Sequence, residues 1–313
     1  MLPINRRAFL QSTIATASGL TLAGHVRSGQ DAPAITFSFS LYGMRSLDLN
    51  TALRTCAQIG YGGVELATMP GWSADPQRLN AEARTALRNR LRQHNLTVPA
   101  LMENTPLNGN AQSHRDQLVR LRRVAELGHN LSPNAHPVIE TILGGRPGQW
   151  EQLRNQFATR LADWARLGEQ TRTIIAVKPH RGQAMNTPEH ALWLMQRVDS
   201  PWIQLGYDYS HFQHRDITLA NSLRQMLPQT KFVHIKDVRV QNGRTQFLLP
   251  GDGTIDFTAM LRQLRMGNYR GTVCVEVSGQ IHGRQGYDPV ASARRCYMNL
   301  APAFRQAGIT LGE

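Results

Sequence analysis

Cysteine and lysine are both scarce in this chain. Three of its 313 residues are cysteine (Cys56, Cys274, Cys296), none in a CxxC pair. A cystine-stapled scaffold and a zinc knuckle are therefore excluded. Lysine occurs only at positions 178, 231 and 236, so nearly all of the basic side is arginine. No apolar run reaches the roughly 18–20 residues that span a bilayer, which excludes a membrane-embedded protein. Wholesale disorder is excluded as well, because 41% of the residues are apolar and 18% charged. The length suits two average domains or one α/β barrel, since such barrels run to roughly 250 residues or more as one unit.

The net charge of +13 raises the question of an anionic partner. The arginines, however, are spread along predicted helices (Arg84, Arg88, Arg90 and Arg92; Arg120, Arg122 and Arg123) without a compact basic tract or interleaved aromatics. They read as solvated helix surface, and no nucleic-acid partner is expected.

Residues 5–11 read Asn-Arg-Arg-Ala-Phe-Leu-Gln, followed by a mildly apolar stretch from Ile14 to Ala23. Paired arginines before Phe9-Leu10 and a weak apolar region have the form of a twin-arginine export signal. Residues 1–30 are accordingly set apart from the fold, and the mature protein is expected in the periplasm or outside the cell. That route carries folded proteins, often with a cofactor already loaded.

From residue 31 to 313 the pattern alternates strand and helix eight times. The strand candidates are Ile35–Ser40, Gly63–Leu66, Thr97–Met102, Val138–Leu143, Thr173–Lys178, Trp202–Gly206, Phe232–Ile235 and Thr272–Val277. Asp75-Pro76, Thr187-Pro188 and Asp288-Pro289 each set a capping residue before a proline and predict helix starts. Eight βα units without a linker predict a single closed (β/α)8 TIM barrel. No Gly-rich dinucleotide turn follows the first strand, which counts against a doubly wound sheet. Val238–Pro250 is too polar for a helix and is read as a hairpin or excursion after strand seven.

Barrel chemistry sits at the C-terminal ends of the strands. Six of those ends carry ionisable residues: Glu65; Glu140; Lys178 and His180; Asp208 and His211; His234, Lys236 and Asp237; and Glu276. Charges inside a barrel are costly unless paired or bound to a metal. Asp208, His234 and Glu276 together offer two carboxylates and one imidazole from consecutive strands, a donor set suited to a divalent ion such as Mn, Co, Mg or Zn. The cysteines are given no part in it. Gly251-Asp252-Gly253 is a tight turn that could present backbone N–H groups to a substrate.

The motifs Gly60-Tyr61-Gly62-Gly63-Val64-Glu65-Leu66, Asp208-x-x-His211, Val233-His234-Ile235-Lys236-Asp237, Gly251-Asp252-Gly253-x-Ile255-Asp256-Phe257 and Val275-Glu276, in this order, resemble the xylose isomerase-like TIM barrel superfamily, in its sugar phosphate isomerase/epimerase branch. The resemblance implies one divalent ion held by a Glu on strand five, an Asp on strand six, a His on strand seven and a Glu on strand eight. The last three map onto Asp208, His234 and Glu276. At the strand-five position stands Lys178. Glu140 or His180 would then supply the fourth ligand, or water would complete a three-ligand site. Lys178 becomes a proton carrier or an electrostatic clamp, with a pKa lowered by a nearby cation and partial desolvation, or else it forms an ion pair with Glu140.

The expected activity is isomerisation or epimerisation of a sugar or keto-sugar, or a related lyase reaction, by proton abstraction next to a metal-polarised carbonyl. Lys178, His211 and Glu276 are the expected catalytic residues, Glu65, His180 and Lys236 the substrate-binding ones, and Glu140, Asp208, His234 and Glu276 the metal ligands. A non-catalytic sugar-binding barrel and an apurinic-site endonuclease-like metallo-hydrolase are the alternatives. A homo-oligomer is left open. Val238–Pro250 and Met69–Trp72 are the expected walls of the site.

Overall fold

The computed structural model describes residues 35–241 and 244–311. The proposed export signal lies outside the described residues. Eight parallel strands close into a barrel: β1 (Thr36–Ser40), β2 (Gly63–Ala67), β3 (Ala100–Met102), β4 (Val138–Thr141), β5 (Ile175–Val177), β6 (Ile203–Tyr207), β7 (Thr230–Ile235) and, after the hairpin β8 (Asp237–Gln241) and β9 (Arg244–Leu248), β10 (Thr272–Val275), which pairs with both β7 and β1. Helices α1 (Leu49–Ile59), α2 (Ala81–Gln93), α3 (Ala111–Leu131), α4 (Trp150–Thr171), α5 (Pro188–Val198), α6 (Leu219–Met226), α7 (Phe257–Met266) and α9 (Pro289–Gln306) fill the connections, with a single-turn α8 (Gly279–His282) after β10. This is the predicted TIM barrel.

Side-chain alternation sorts the strands into two chemistries. One set, including Phe37, Phe39, Val64, Leu66, Ile139, Ile175, Val177, Leu205, Val233, Ile235, Val273 and Val275, is buried in the apolar layer shared with the helices, among Leu53, Phe157, Trp164 and Phe304. The alternate set faces the barrel axis. Its lowest layer is apolar, with Ala100, Phe232 and Cys274 packed together. Above it the set turns polar: Glu65, Glu140, Lys178, Asp208, His234 and Lys236, all at most 3% exposed. Apolar burial outside therefore holds the fold, and the interior is given over to charge.

Local signals place most elements. Thr187 accepts from His190 N–H, and Asp288 from Val290 and Ala291 N–H, so two of the Pro-marked caps open helices as expected. Gly60 closes α1 at φ 111°, where a Cβ would meet the Tyr297 hydroxyl at 2.7 Å. Asp75-Pro76 does not start a helix. The Asp75 carboxylate instead accepts from Gly71 and Gln77 N–H and meets Arg120, while α2 opens later under Asn80, which accepts from Ala83 N–H. Arg120 also departs from the solvated-surface reading: its fork grips Glu103 at 2.8 and 3.0 Å and bonds the Thr68 carbonyl.

Candidate active site

The polar interior is a connected network. Lys178, just beyond β5, places Nζ 2.9 Å from Glu276 Oε2, 3.1 Å from Glu140 Oε1 and 2.7 Å from His234 Nδ1. Lys236, just beyond β7, bonds Asp208 Oδ2 and lies 2.8 Å from the same Glu276 Oε2. His234 Nε2 reaches Glu65 Oε2 at 2.9 Å. Asp208 is positioned by its own turn, where Oδ1 accepts from Ser210 N–H and the Ser210 hydroxyl. The anticipated Lys178–Glu140 pair is thus present, as one edge of a larger cluster.

Mutual pairing is what makes this burial tolerable. Burial disfavours charge on Lys178, yet Glu140, Glu276 and Asp208 outweigh it and raise its pKa. This reverses the lowered pKa expected from the sequence, because three carboxylates gather around the ammonium. Lys178 is a fixed cation, unsuited to act as a base. Burial would lift Glu276, but Lys178, Lys236 and His234 hold it well below the usual carboxylate range. Burial prevails at Glu140 and raises its carboxyl. His234 Nδ1 also lies 3.1 Å from Glu276 Oε2. Burial disfavours charge on this ring, yet Glu65 and Glu276 outweigh it and raise its pKa to about 9.

Two histidines stand beside the ammonium pair. His211 is fully buried, 3.4 Å from Asp208 Oδ2, and neither ring nitrogen has a hydrogen-bond partner among the described residues. Burial, His180 and the two lysines keep it neutral. His180 packs on it at 4.1 Å between ring centroids. Its Nδ1 accepts from Gly182 N–H, which leaves Nε2 as the protonated nitrogen. Burial and the two lysines lower its pKa to about 4.

Aromatic walls flank the cluster. Phe247 of the hairpin lies 5.6 Å from His211 and 5.5 Å from Lys236 Nζ. Tyr42, near Glu276 and Lys178, stacks on Trp72 at 5.0 Å, with Arg45 over the Trp72 ring and His282 edge-on to Tyr42. Trp72 and the hairpin were expected there. Tyr42 was missed, although an aromatic just past the end of β1 is a legible signal. Glu276 is the network's outlet, its side chain 13% exposed against 4% and 2% for Lys178 and Lys236. Glu65 lies on the far side of His234 from Glu276, completely buried. Gly251 and Gly253 do not offer their N–H groups to a substrate: both donate to Asp237 Oδ2, and Thr254 and Ile255 donate to Oδ1.

The family model described as xylose isomerase-like TIM barrel matches residues 53–296. The chain belongs to that family. Among curated proteins it is 27% identical over 183 residues to an inosose dehydratase of Clostridium tetani; that match covers 52% of this chain and 60% of the relative. Two solved structures share the fold. The IolI protein with a bound zinc atom has a TM-score of 0.70 at 19% identity, covering 87% of this chain and 99% of that one. The 3-keto-D-glucoside 4-epimerase of E. coli has a TM-score of 0.67 at 18% identity, covering 86% and 99%. The named relatives of this family member are sugar-processing enzymes.

The metal expectation meets a mixed donor set. Glu140, Asp208, His234 and Glu276 are brought together, but every one of them already contacts a lysine ammonium. As arranged, these four do not fit an ion. One layer down, Glu65, His234 and Cys274 place donor atoms within 4.8 Å of one another, all three buried. Strand phase, which sets Cys274 opposite Val273 and Val275 and with Glu276, leads one to expect it buried near the site, as it is; a place among donor atoms was not expected of it. This trio is the one group of donors among the described residues whose spacing could hold a metal ion.

Proposed function

We propose that the protein is an exported isomerase/epimerase, or a related lyase, acting on a free sugar or keto-sugar. Export rests on Arg6-Arg7 and the apolar stretch behind them. The chemistry rests on one observation above all: the ammoniums of Lys178 and Lys236 converge on a single carboxylate oxygen of Glu276, where the network is most open to solvent. The names of the relatives, an inosose dehydratase and a 3-keto-glucoside epimerase, point to carbonyl compounds with acidic neighbouring C–H bonds.

In this reading the substrate enters between Tyr42–Trp72 and Phe247. His180 donates Nε2–H to a substrate oxygen, and Lys236 binds another. Glu276 and His211 move the proton: one removes it from the carbon next to the carbonyl, the other returns it. Neutral His211, with Asp208 behind it, can accept a proton or hand one back. Return to the opposite face gives an epimer; return to the former carbonyl carbon, as the neighbouring hydroxyl's proton passes to the former carbonyl oxygen, gives an isomer. Loss of a β-hydroxyl or glycosidic oxygen as the leaving group gives a lyase. Glu65 acts through His234.

The test is a panel of keto-sugars, including a 3-keto-glucoside and a keto-cyclitol, followed by NMR with purified protein. Wild type should convert at least one member, and Glu276→Ala and Asp208→Ala should not. Binding without conversion across the panel would leave a sugar-binding protein instead.

A further inference from the structure

We propose that Lys178 and Lys236 take the place of a catalytic divalent ion, so that turnover needs no metal in contact with the substrate. The inference rests on the functional reading above for its substrate and on the following geometry for the rest.

Each donor expected to hold an ion already has an ammonium on it. Lys178 Nζ contacts Glu140, His234 and Glu276 at 3.1, 2.7 and 2.9 Å, and Lys236 Nζ contacts Asp208 and Glu276. An ion bound by Asp208 and Glu276 would lie next to both ammoniums, inside a barrel where water screens little and like charges repel strongly. The two ammoniums together carry the charge of one divalent ion. Their placement also suits its role: Lys236, with two partners, keeps a third N–H for an enediolate oxygen beside Glu276, and Lys178 adds its charge to the same corner.

Residue usage supports the same conclusion. Of 35 basic residues only three are lysine. Two of these, Lys178 and Lys236, are 3% and 2% exposed in the barrel interior. A chain that otherwise uses arginine has placed compact ammoniums at these two interior positions.

The trio of Glu65, His234 and Cys274 does not compete for this role. All three are at most 1% exposed: Cys274 belongs to the apolar floor of the barrel, and Glu65 meets His234 on the side away from Glu276. An ion there would tie β2, β7 and β10 together without touching substrate.

The test measures metal rather than activity, so it stands even if no keto-sugar is converted. The full chain is purified without chelator, assayed for bound metal by elemental mass spectrometry, and titrated with Mn2+ and with Zn2+ by calorimetry. Wild type should hold no ion that depends on Asp208. Lys178→Glu changes the site by two charge units and should bind Mn2+ or Zn2+ at least about 100-fold more tightly than wild type. A wild-type ion lost on Cys274→Ser but kept in Asp208→Asn also agrees, because it marks the buried trio. About one equivalent in wild type that is lost in Asp208→Asn would overturn the proposal. If Lys178→Glu fails to fold, the wild-type and Asp208→Asn measurements still decide. Conversion of a keto-sugar, once found, should persist in chelator; failure to find one refutes the functional reading alone.

Discussion

Lys178 Nζ stands 2.9 Å from Glu276 Oε2, joining the mouths of β5 and β10 across the barrel axis. Neither residue could be buried alone: an unpaired ion in this interior would be expelled or neutralised. Paired, they fix a cationic point beside the carboxylate that solvent reaches. Glu276→Gln keeps the shape and removes the charge. It should lower kcat by roughly 100- to 10,000-fold with a much smaller change in KM, measured by steady-state kinetics on whichever keto-sugar is converted. Unchanged kcat would remove Glu276 from proton transfer.

Arg120 secures the Trp72 wall from below. Its fork holds Glu103, which is 1% exposed, and it also binds the Thr68 carbonyl and Asp75, on either side of Trp72. Arg120→Met leaves a buried carboxylate without its partner, at a cost of roughly 3–5 kcal/mol. Denaturant unfolding should show that loss, and Trp fluorescence should report a displaced Trp72. A loss under about 1 kcal/mol, the scale of a surface pair, would mean the network adds little to stability.

Stability should fall in mild acid. Burial lowers the folded-state pKa of His180 to about 4 and puts His211 well below its ordinary value of 6.5. The unfolded chain therefore binds protons that the folded one refuses. Stability from these two rings is complete above pH 6.5 and declines as pH falls from 6.5 toward 4, with a slope approaching about two protons per molecule. Melting temperature followed from about pH 7.5 to about pH 4.5 tests this, and His180→Asn should reduce the slope by about one proton. Glu140 and Glu103, whose carboxyls burial raises, act in the opposite sense in this range, so an unchanged slope in His180→Asn is the result that would contradict the neutral state of that ring.

Asp237 organises the hairpin that carries Phe247. Its carboxylate accepts from the N–H groups of Val238, Gly251, Gly253, Thr254 and Ile255. A Cβ on Gly253 would fall 2.2 Å from Asp237 Oδ1. Gly253→Ala and Asp237→Ala should each cost at least about 3 kcal/mol, the latter by leaving several charge-assisted bonds unmade. Urea unfolding measures both, and wild-type stability in either would refute the anchoring role.

Much of this was legible because a TIM barrel writes itself as alternating periods. The eight strands fall within a few residues of their expected limits, since β-branched and apolar runs are bounded by caps and glycines. The strand-end residues Asp208, His234 and Glu276 were found for the same reason: a charge between buried valines or at a strand end has few explanations. The charge state of Lys178 was not legible, because it depends on carboxylates from β4, β6 and β10 that only closure of the barrel brings together. Asp75-Pro76 looked like a helix cap because local chemistry cannot reveal that Arg120, 45 residues away, claims the carboxylate. The burial of Cys274 near the site was legible from its phase with Glu276, but its nearness to Glu65 and His234 was not, because a lone cysteine carries no spacing signal.

The most direct test of the proposed chemistry is proton exchange at carbon. A 3-keto-glucoside and a keto-cyclitol would be incubated in D2O with the full-length protein and followed by 1H NMR. The C–H signal next to the carbonyl should disappear, with deuterium incorporated there in recovered substrate or product, and Glu276→Gln should suppress the exchange. Ligands that bind, by calorimetry, yet keep that proton with wild-type protein at saturation would contradict proton abstraction and leave the barrel a binding protein.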